Sequence, residues 1–361
     1  MSLVIMEDKM KILKRILSFI TIIFLMSATL TDYNKKVISI VSAETIPSKV
    51  SVFLLDFTDD FISEIRQNLE DVQKENPGKV EYTFYDGKSN QVIQNEELDK
   101  VLQEGTNLIL LNIVDRAYSK EVIDRIKEHN IPVILFNREP LTPVPIQSYS
   151  KALYIGTDSA QAGELQGRML IDTWNTSKTY IDKNGDNIMQ YFMLEGESDN
   201  TEAILRTKYS ISTIDKVGIK TQQVALESCN WREDLAYNAT KSVFEKYKDQ
   251  IEVIIANDDT MAIGAIKALQ EYGYNNGDKS KTIPVVGVDV TPEAKELIEK
   301  GYMLGSVYQD ARSYAEALYS CGMNMIGGKS PIADTKYILD DTRVAIRLPQ
   351  KGYFYKNIFV E

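Results

Sequence analysis

Short apolar runs alternate with longer amphipathic stretches from Lys49 almost to the end of the chain. The apolar runs, such as VSVFLLDF, IPVILFN and IEVIIAND, have the length and composition of buried strands, and stretches such as DDFISEIRQNLEDVQKE have helical periodicity. Because parallel strands need a crossover between them, this alternation predicts parallel sheets covered by helices. Ten strand candidates exceed what one ordinary sheet holds, so we expect an α/β protein with two sheets.

The N-terminus predicts export. Four basic residues between positions 9 and 15 precede the apolar run ILSFITIIFLMSATL at 16–30. This order is typical of a secretory signal peptide or a signal anchor, and the run is of marginal length for a full membrane span. Cleavage after Ala28 or Ala43 would release the protein, whereas an uncleaved segment would tether it to the membrane. We therefore expect residues 1–46 to be an export segment and linker, and the protein to act outside the cytoplasm.

The composition argues against several classes of function. The net charge is −11 and no long cluster of Lys and Arg is present, which disfavours a nucleic-acid binder. Two cysteines, Cys229 and Cys321, and one histidine, His129, are too few for Cys/His zinc clusters or a C-x-x-C redox motif. His129 is expected on the polar side of a helix, so a Ser-His-Asp hydrolase is not predicted. The segment GMNMIGGKS lacks Walker spacing and follows a helical stretch, so nucleotide binding is disfavoured as well.

Polar side chains gather where the apolar strands end. In open α/β sheets, ligands bind outside the carboxyl ends of the strands. Asp and Asn at such positions also cap helices, but capping accounts for only one side-chain oxygen per helix. Several of these strand ends carry two or three polar side chains. We therefore expect both sheets to direct carboxylates and amides at a binding crevice. The polar ends are 56–60, 112–115, 137–139, Asp158, 195–197, 257–259, Asp289 and 309–310.

These residue types suit a neutral sugar. Hydroxyls both donate and accept hydrogen bonds, so a sugar site needs carboxylates, amides and Arg, with flat aromatic surfaces for the C–H faces. Phe61 and Trp231 supply rings near strand ends, and Glu202 and Arg206 are spaced to share one face of a helix. The alternatives are core packing for Trp231 and a surface ion pair for Glu202 and Arg206.

Seven stretches occur in an order typical of one family: DDFISEIR, LLNIVD, PVILFNREP, YIGTDS, DKNGDNIMQYFMLEGE, IEVIIANDDTMAIGAIKAL and PVVGVDVTPEA. Together they resemble the type I periplasmic binding proteins, and within them the galactose/glucose-binding family, over nearly all of residues 48–350. The resemblance implies two Rossmann-like lobes, each a parallel sheet flanked by helices, joined by a three-segment hinge. We expect residues 47–137 with 310–344 in the N-terminal lobe, and 138–309 with 345–361 in the C-terminal lobe.

The resemblance also implies the residues that contact the sugar. Phe61 and Trp231 would sandwich the ring, and Arg206 would lie near the ring oxygen. The full set is Asp59, Phe61 and Asn112 from the first lobe, Asn200, Glu202, Arg206, Trp231, Asp258 and Asp289 from the second, and Gln309 near a crossing.

The chain departs from the family pattern at four of these positions. Asn200 stands where the family has His, Glu202 where it has Asp, and Asp258 and Gln309 where it has Asn. Each change keeps a hydrogen-bonding group but alters its reach or its donor and acceptor character, and such a site rejects ligands that leave buried polar groups unpaired. The sugar is therefore left open between glucose, galactose and a pentose such as xylose.

The segment DKNGDNIMQ begins like an EF-hand calcium loop. Oxygen ligands at positions 1, 3, 5, 7 and 9 of that loop would be Asp182, Asn184, Asp186, the Ile188 carbonyl and Gln190. Position 6 is Asn187 instead of Gly, and position 12 is Met193 instead of Glu. The resemblance implies that Glu252, on a later strand, supplies the last ligand and that the Ca²⁺ is structural. The alternative is an Asn- and Asp-rich loop without metal.

A sugar receptor of this kind can serve either transport or signalling. The first is delivery of a monosaccharide to the permease of an ABC transporter. The alternative is a membrane-tethered sensor that signals to the extracellular domain of a histidine kinase or chemoreceptor. A glycosidase or a sugar-responsive repressor is not expected, because the resemblance assigns the carboxylates to hydroxyl binding and the chain begins with an export segment, not a DNA-binding domain. No catalysis is predicted.

Overall fold

The computed structural model describes residues 46–355 and 358–359, together with isolated positions 10, 14, 21, 23, 26 and 27. The chain divides into two compact units: residues 1–47 with 77–79, and residues 48–76 with 80–361. The predicted export segment belongs to the first unit and lies almost wholly outside the described residues. No helix within the described part of the chain is long and apolar enough to cross a membrane. The elements below belong to the second unit.

The first sheet has six parallel strands in the order β11-β5-β4-β3-β1-β2. Its strands are β1 (Ser48–Leu54), β2 (Val80–Asp86), β3 (Leu108–Leu111), β4 (Val133–Phe136), β5 (Ala152–Thr157) and β11 (Ala345–Leu348). Five helices belong to this lobe within the described residues: α1 (Asp60–Glu75), α2 (Gln91–Glu104), α3 (Ser119–Glu128), α4 (Val144–Gln147) and α10 (Ala311–Ile326). Helices α1 and α10 cover one face of the sheet, and α2 and α3 cover the other.

The second sheet also has six strands, in the order β12-β10-β9-β8-β6-β7. They are β6 (Ile188–Glu195), β7 (Lys220–Ser228), β8 (Val253–Ala256), β9 (Val285–Asp289), β10 (Gly305–Tyr308) and β12 (Lys351–Phe354). All pairs are parallel except β10 with β12. The helices of this lobe are α5 (Ser159–Ile181), α6 (Thr201–Lys216), α7 (Glu233–Tyr247), α8 (Asp259–Glu271) and α9 (Pro292–Glu299). Short 3-10 helices lie at Arg116–Tyr118, Lys248–Gln250 and Lys279–Lys281.

Helix α1 shows how the sequence produces these elements. Asp59 caps its N-terminus by accepting a hydrogen bond from Ile62 N at 2.9 Å. Ile62, Ile65, Leu69 and Val72 recur at helical spacing and are all buried against the first sheet. Burial of each such side chain contributes about 1.5–3 kcal/mol to folding, so this face fixes the helix on the sheet. The cap then places Asp59 at the carboxyl end of β1.

Within the described residues the chain crosses between the lobes three times, at Asp158, at 309–310 and at 349–350. The predicted fold class, with two lobes of parallel sheets flanked by helices, is confirmed. The lobe boundaries need a correction, because β5 pairs with β4, and β11 pairs with β5, in the first sheet. The N-terminal lobe was expected to end at residue 137, but the chain continues through α4 into β5 of the same sheet.

Candidate functional site

A cavity lies where the carboxyl ends of the two sheets face each other. Its void measures about 500 Å³, part of it open to solvent. The lining includes nine of the ten residues predicted to contact sugar: Asp59, Phe61, Asn200, Glu202, Arg206, Trp231, Asp258, Asp289 and Gln309. Leu55, Ile62, Asn137, Arg138 and Thr260 complete the wall. Both lobes therefore contribute polar and aromatic groups to one cavity, as ligand sites require.

Asn112 is the predicted contact that does not line this cavity. Its side chain is fully buried and accepts a hydrogen bond from Leu55 N at 3.0 Å. Its Nδ2 donates to Phe136 O at 3.2 Å and to Asn137 Oδ1 at 3.1 Å. The side chain thus braces the ends of three neighbouring strands, and a direct sugar contact by Asn112 stays a prediction. Asn137, which Asn112 holds, reaches the cavity instead.

Two carboxylates line the cavity from opposite lobes. Asp59 accepts from Ile62 N at 2.9 Å and Asp258 accepts from Met261 N at 2.8 Å, so each caps a helix with one oxygen. Burial raises the pKa of Asp59 to about 6 and the pKa of Asp258 to about 7. The charge of Asp59 adds to the rise at Asp258. Helix capping, the alternative considered for such residues, therefore accounts for one oxygen of each carboxyl group, and the second oxygen is left for other partners.

Arg206 and Glu202 lie on the first turns of α6. Arg206 is 3% exposed, and its Nη2 lies 3.8 Å from Glu202 Oε2. Its Nη1 donates to Asn257 O at 2.9 Å. Its Nε is buried with no hydrogen-bond partner among the described residues. Because a buried unpaired donor is costly, this nitrogen indicates an acceptor supplied by a ligand, and the pair is not a surface ion pair.

Two aromatic rings line the cavity. Phe61, on α1, packs edge-on against Tyr314 with ring centroids 5.7 Å apart. Trp231 follows β7 in a left-handed backbone conformation, with φ of 62°. Its ring lies directly over Gly196, where an added Cβ would come within 2.3 Å of Trp231 Cζ2. Gly196 thus allows the indole to lie flat, a role that the sequence reasoning missed.

Hydrogen bonds also join the lobes around the cavity. Arg138 is held by Ile113 O and Val114 O at 2.9 Å, and its Nη2 reaches Glu197 Oε2 of the other lobe at 3.0 Å. Arg116 donates to Asp199 O at 2.8 Å and to Thr201 Oγ1 at 3.2 Å. Thr260 Oγ1 donates to Asp60 Oδ2 at 3.0 Å. The structure is therefore in a closed arrangement. Arg138 lies in the polar stretch 137–139, and no sequence signal marks its role.

Gln309 links the hinge to the cavity. It lies at the second crossing and its Oε1 accepts from Thr157 Oγ1, next to the first crossing, at 2.6 Å. Its Nε2 donates to Asp289 Oδ1 at 2.5 Å. Asp289 has a φ of 122° and Val290 a φ of 62°, so the backbone at the end of β9 is strained to hold this carboxylate in place.

The predicted calcium loop lies at the opposite end of β6. Asn187 has a φ of 64°, as position 6 of such a loop requires. The oxygens Asp182 Oδ1 and Gln190 Oε1 are buried with no hydrogen-bond partner among the described residues. Glu252 is fully buried, and its two oxygens accept from Lys183 N at 2.9 Å and Gln190 N at 3.1 Å. Two orphaned acceptors beside a buried carboxylate fit a hard cation.

The carboxylates of the same loop influence one another. Burial raises the pKa of Glu252 to about 7, and the charges of Asp182 and Asp186 add to the rise. No group of three or more His, Cys, Asp or Glu side chains within the described residues is arranged to hold a metal. The three carboxylates of the predicted set, Asp182, Asp186 and Glu252, therefore do not form such a group, and the other predicted ligands are amide and backbone oxygens. Met193, buried in β6 and paired with Leu226 and Ile255, is not a ligand.

Known proteins with similar sequences and structures bind small solutes. A profile of the periplasmic binding protein domain matches residues 50–330. The D-galactose/methyl-galactoside binding periplasmic protein MglB of Haemophilus influenzae is 32% identical over 312 residues, covering 86% of this chain and 91% of that protein. Two solved structures show the same fold at low sequence identity. An ABC transporter solute binding protein from Bacillus halodurans C-125 with bound myo-inositol has a TM-score of 0.70 and 19% identity, covering 88% of this chain and 98% of that one. One from Actinobacillus succinogenes 130z with bound D-allose has a TM-score of 0.71 and 17% identity, with coverages of 86% and 99%.

Proposed function

The chain belongs to the periplasmic binding protein family, and from that premise we propose that it is an extracytoplasmic receptor that encloses one monosaccharide and delivers it to an ABC transporter. The observation that carries this proposal is the cavity between the lobes. It combines buried carboxylates, an aromatic surface at Trp231 and a guanidinium nitrogen of Arg206 that has no partner among the described residues. The relative from Haemophilus influenzae is named as a galactose-binding protein, which supports a sugar as the ligand.

Each group in the cavity has a distinct task in this proposal. Carboxylates such as Asp59 and Asp289 accept hydrogen bonds from hydroxyls, and Arg206 Nε donates to an acceptor such as a ring oxygen. Trp231 packs against a C–H face of the ring. Because the contacts come from both lobes, the ligand is bound completely only in the closed arrangement, so binding favours hinge closure. No group is required to form or break a covalent bond.

Calorimetric titration with glucose, galactose, xylose, arabinose and ribose tests the receptor function. We expect at least one of these sugars or a close derivative to bind, and Arg206→Met to weaken that binding, because the variant keeps the packing volume and loses the donor. Tighter binding of a pentose than of a hexose would fit the loss of His at the position of Asn200. A chain that binds no monosaccharide would refute the proposal.

The sensor alternative has no support from the relatives described above, which are named as a binding protein and as ABC transporter solute binding proteins. A glycosidase is distinguished by incubation with an aryl glycoside, since turnover would overturn the receptor function. Tethering through the N-terminal apolar segment stays a prediction. The size of the exported form on a denaturing gel tests it, because cleavage near Ala28 or Ala43 removes the segment.

We also propose that the loop at 182–190 binds a structural Ca²⁺. The residues that would hold it are Asp182, Asn184, Asp186, Ile188 through its carbonyl, Gln190 and Glu252. The orphaned oxygens of Asp182 and Gln190 support the proposal, because a cation would satisfy both. Bound Ca²⁺ supplies positive charge that draws these oxygens together and so ties the loop to β6 and to the start of β8.

Removal of Ca²⁺ by a chelator is expected to lower Tm, and added Ca²⁺ to restore it. A ligand that binds only the folded state stabilises it by about 2.7 kcal/mol at about one hundred times its Kd. Glu252→Gln should reduce the response, because a neutral amide replaces the carboxylate. Met193→Leu is the matched control in the neighbouring strand and should keep the full response. No shift of Tm with millimolar Ca²⁺ would contradict the site.

A further inference from the structure

The cavity wall carries more negatively charged side chains than positively charged ones. The wall holds the carboxylates of Asp59, Glu202, Asp258 and Asp289 but only two guanidinium groups, those of Arg138 and Arg206. Arg138 forms an ion pair with Glu197, and Arg206 lies beside Glu202. Asp289 accepts from the Gln309 amide. Asp59 and Asp258 form no ion pair with any residue that the structure describes.

The geometry of this acidic pair sets it apart from an ordinary surface cluster. Asp59 caps α1 of the first lobe and Asp258 caps α8 of the second, and both carboxylates line the same cavity. Each uses one oxygen for its cap, and neither second oxygen has a hydrogen bond within the described part of the chain. Asp258 is only 7% exposed. Their repulsion opposes closure unless a positive charge or shared protons lie between them.

A second observation indicates what else the ligand carries. Arg206 Nε is buried at the same cavity with no partner among the described residues, so it requires an acceptor atom. The complementary molecule therefore combines an oxygen acceptor with a cation. Hydroxyls also donate to carboxylates, but they bring no positive charge to a wall that holds four carboxylates and two guanidinium groups.

Resting on the receptor function proposed above, we propose that the preferred ligand is a monosaccharide or cyclitol with a protonated amino group, and that its ammonium lies between Asp59 and Asp258. An ammonium has three donors and no acceptor, which suits two free carboxylate oxygens. Because the two carboxylates belong to different lobes, the same contact stabilises the closed arrangement. Charge-assisted hydrogen bonds of this kind are stronger than those of neutral groups.

Calorimetry at pH 6.5 with matched ligand pairs tests the proposal of an amino ligand. The pairs are glucose and galactose with their 2-amino and 3-amino derivatives, and inositol with an aminocyclitol. We expect at least one amino compound to bind about 30-fold more tightly than its hydroxyl counterpart, the smaller effect seen when a buried charge pair is broken. Asp258→Asn should remove this preference, while its amide oxygen still caps α8. Asp124→Asn, at an exposed position on α3 outside the cavity wall, removes one charge and should keep the preference.

The outcomes separate the two proposals. Hydroxyl compounds that bind as tightly as their amino counterparts would refute the amino-ligand proposal and leave the receptor function intact. A preference for amines that survives Asp258→Asn would refute the assignment to this pair. No binding by any compound would refute the receptor function itself.

Discussion

Replacing Gly196 with alanine is expected to move Trp231 from its place in the cavity and to weaken sugar binding while the fold is kept. A Cβ at this position would lie 2.3 Å from Cζ2, 2.4 Å from Cε2 and 2.5 Å from Cη2 of the indole. Carbon atoms in favourable contact are about 3.5–4.0 Å apart, so the ring must retreat by about 1.2 Å. The indole is the flexible partner in this clash, and we expect it to move before the backbone of β6 does.

The size of the effect follows from what the ring contributes. Inserting one methyl group into a packed site typically costs about 1–3 kcal/mol of stability. Loss of a well-packed Trp from a binding site costs about 2 kcal/mol or more, which corresponds to a Kd about 30-fold higher. The two costs are of similar size, so Tm should fall as well, and the rise in Kd is the result that reports the position of the indole.

Titration calorimetry measures the affinity, and Trp fluorescence reports the position of the ring. Trp174, the other tryptophan, is buried in the core of the second lobe and gives a constant background. Gly352→Ala is the matched control, because its Cβ would have its nearest neighbour at 3.9 Å, an ordinary contact. An unchanged Kd for Gly196→Ala would refute the argument that this glycine positions the indole.

Two further results are expected. Because burial raises the pKa of Asp258 to about 7, the folded state keeps a proton that the unfolded state loses above about pH 4, so stability falls as the pH rises from about 4 to 7. Asp258→Asn should then stabilise the protein on the order of 2 kcal/mol more at pH 8 than at pH 5 in calorimetric unfolding, and an equal effect at both would contradict this. Arg116→Ala removes two bonds between the lobes, to Asp199 and Thr201, without touching the cavity wall. It should lower affinity by about 1–2 kcal/mol and enlarge the protein in small-angle scattering, whereas an unchanged Kd would contradict a role in closure.

The ten predicted strands correspond to β1–β10, because buried parallel strands are short, continuous apolar runs bounded by polar ends. The sequence does not reveal β11 and β12. Strand β11 has four residues and pairs with β5, almost two hundred positions earlier. Strand β12 reads KGYF and pairs antiparallel with β10 at a sheet edge. Such short edge strands depend on remote partners, and their local pattern is too weak to predict them.

Residues of the cavity wall were predictable where they lie in or near stretches that match the family in sequence and order, as at Asp59, Arg206 and Asp258. The role of Asn112 was not, since an Asn at a strand end can either face the ligand or bond neighbouring strand ends, and only the positions of Leu55 and Phe136 decide between these. Gly196 was missed for a similar reason. Its significance comes from a ring thirty-five positions later, and no local sequence signal marks that contact.

The side chain of Gln309 holds Thr157 at one crossing and Asp289 in the cavity wall. Gln309 therefore affects both the choice of ligand and the motion of the hinge. A substitution chosen to accept a different ligand at this position also changes how readily the two lobes separate, and the observed Kd changes for both reasons at once. Re-engineering of this receptor for a new ligand is best begun at Asn200 or Trp231, which do not bond to the crossings, with Gln309 left unchanged.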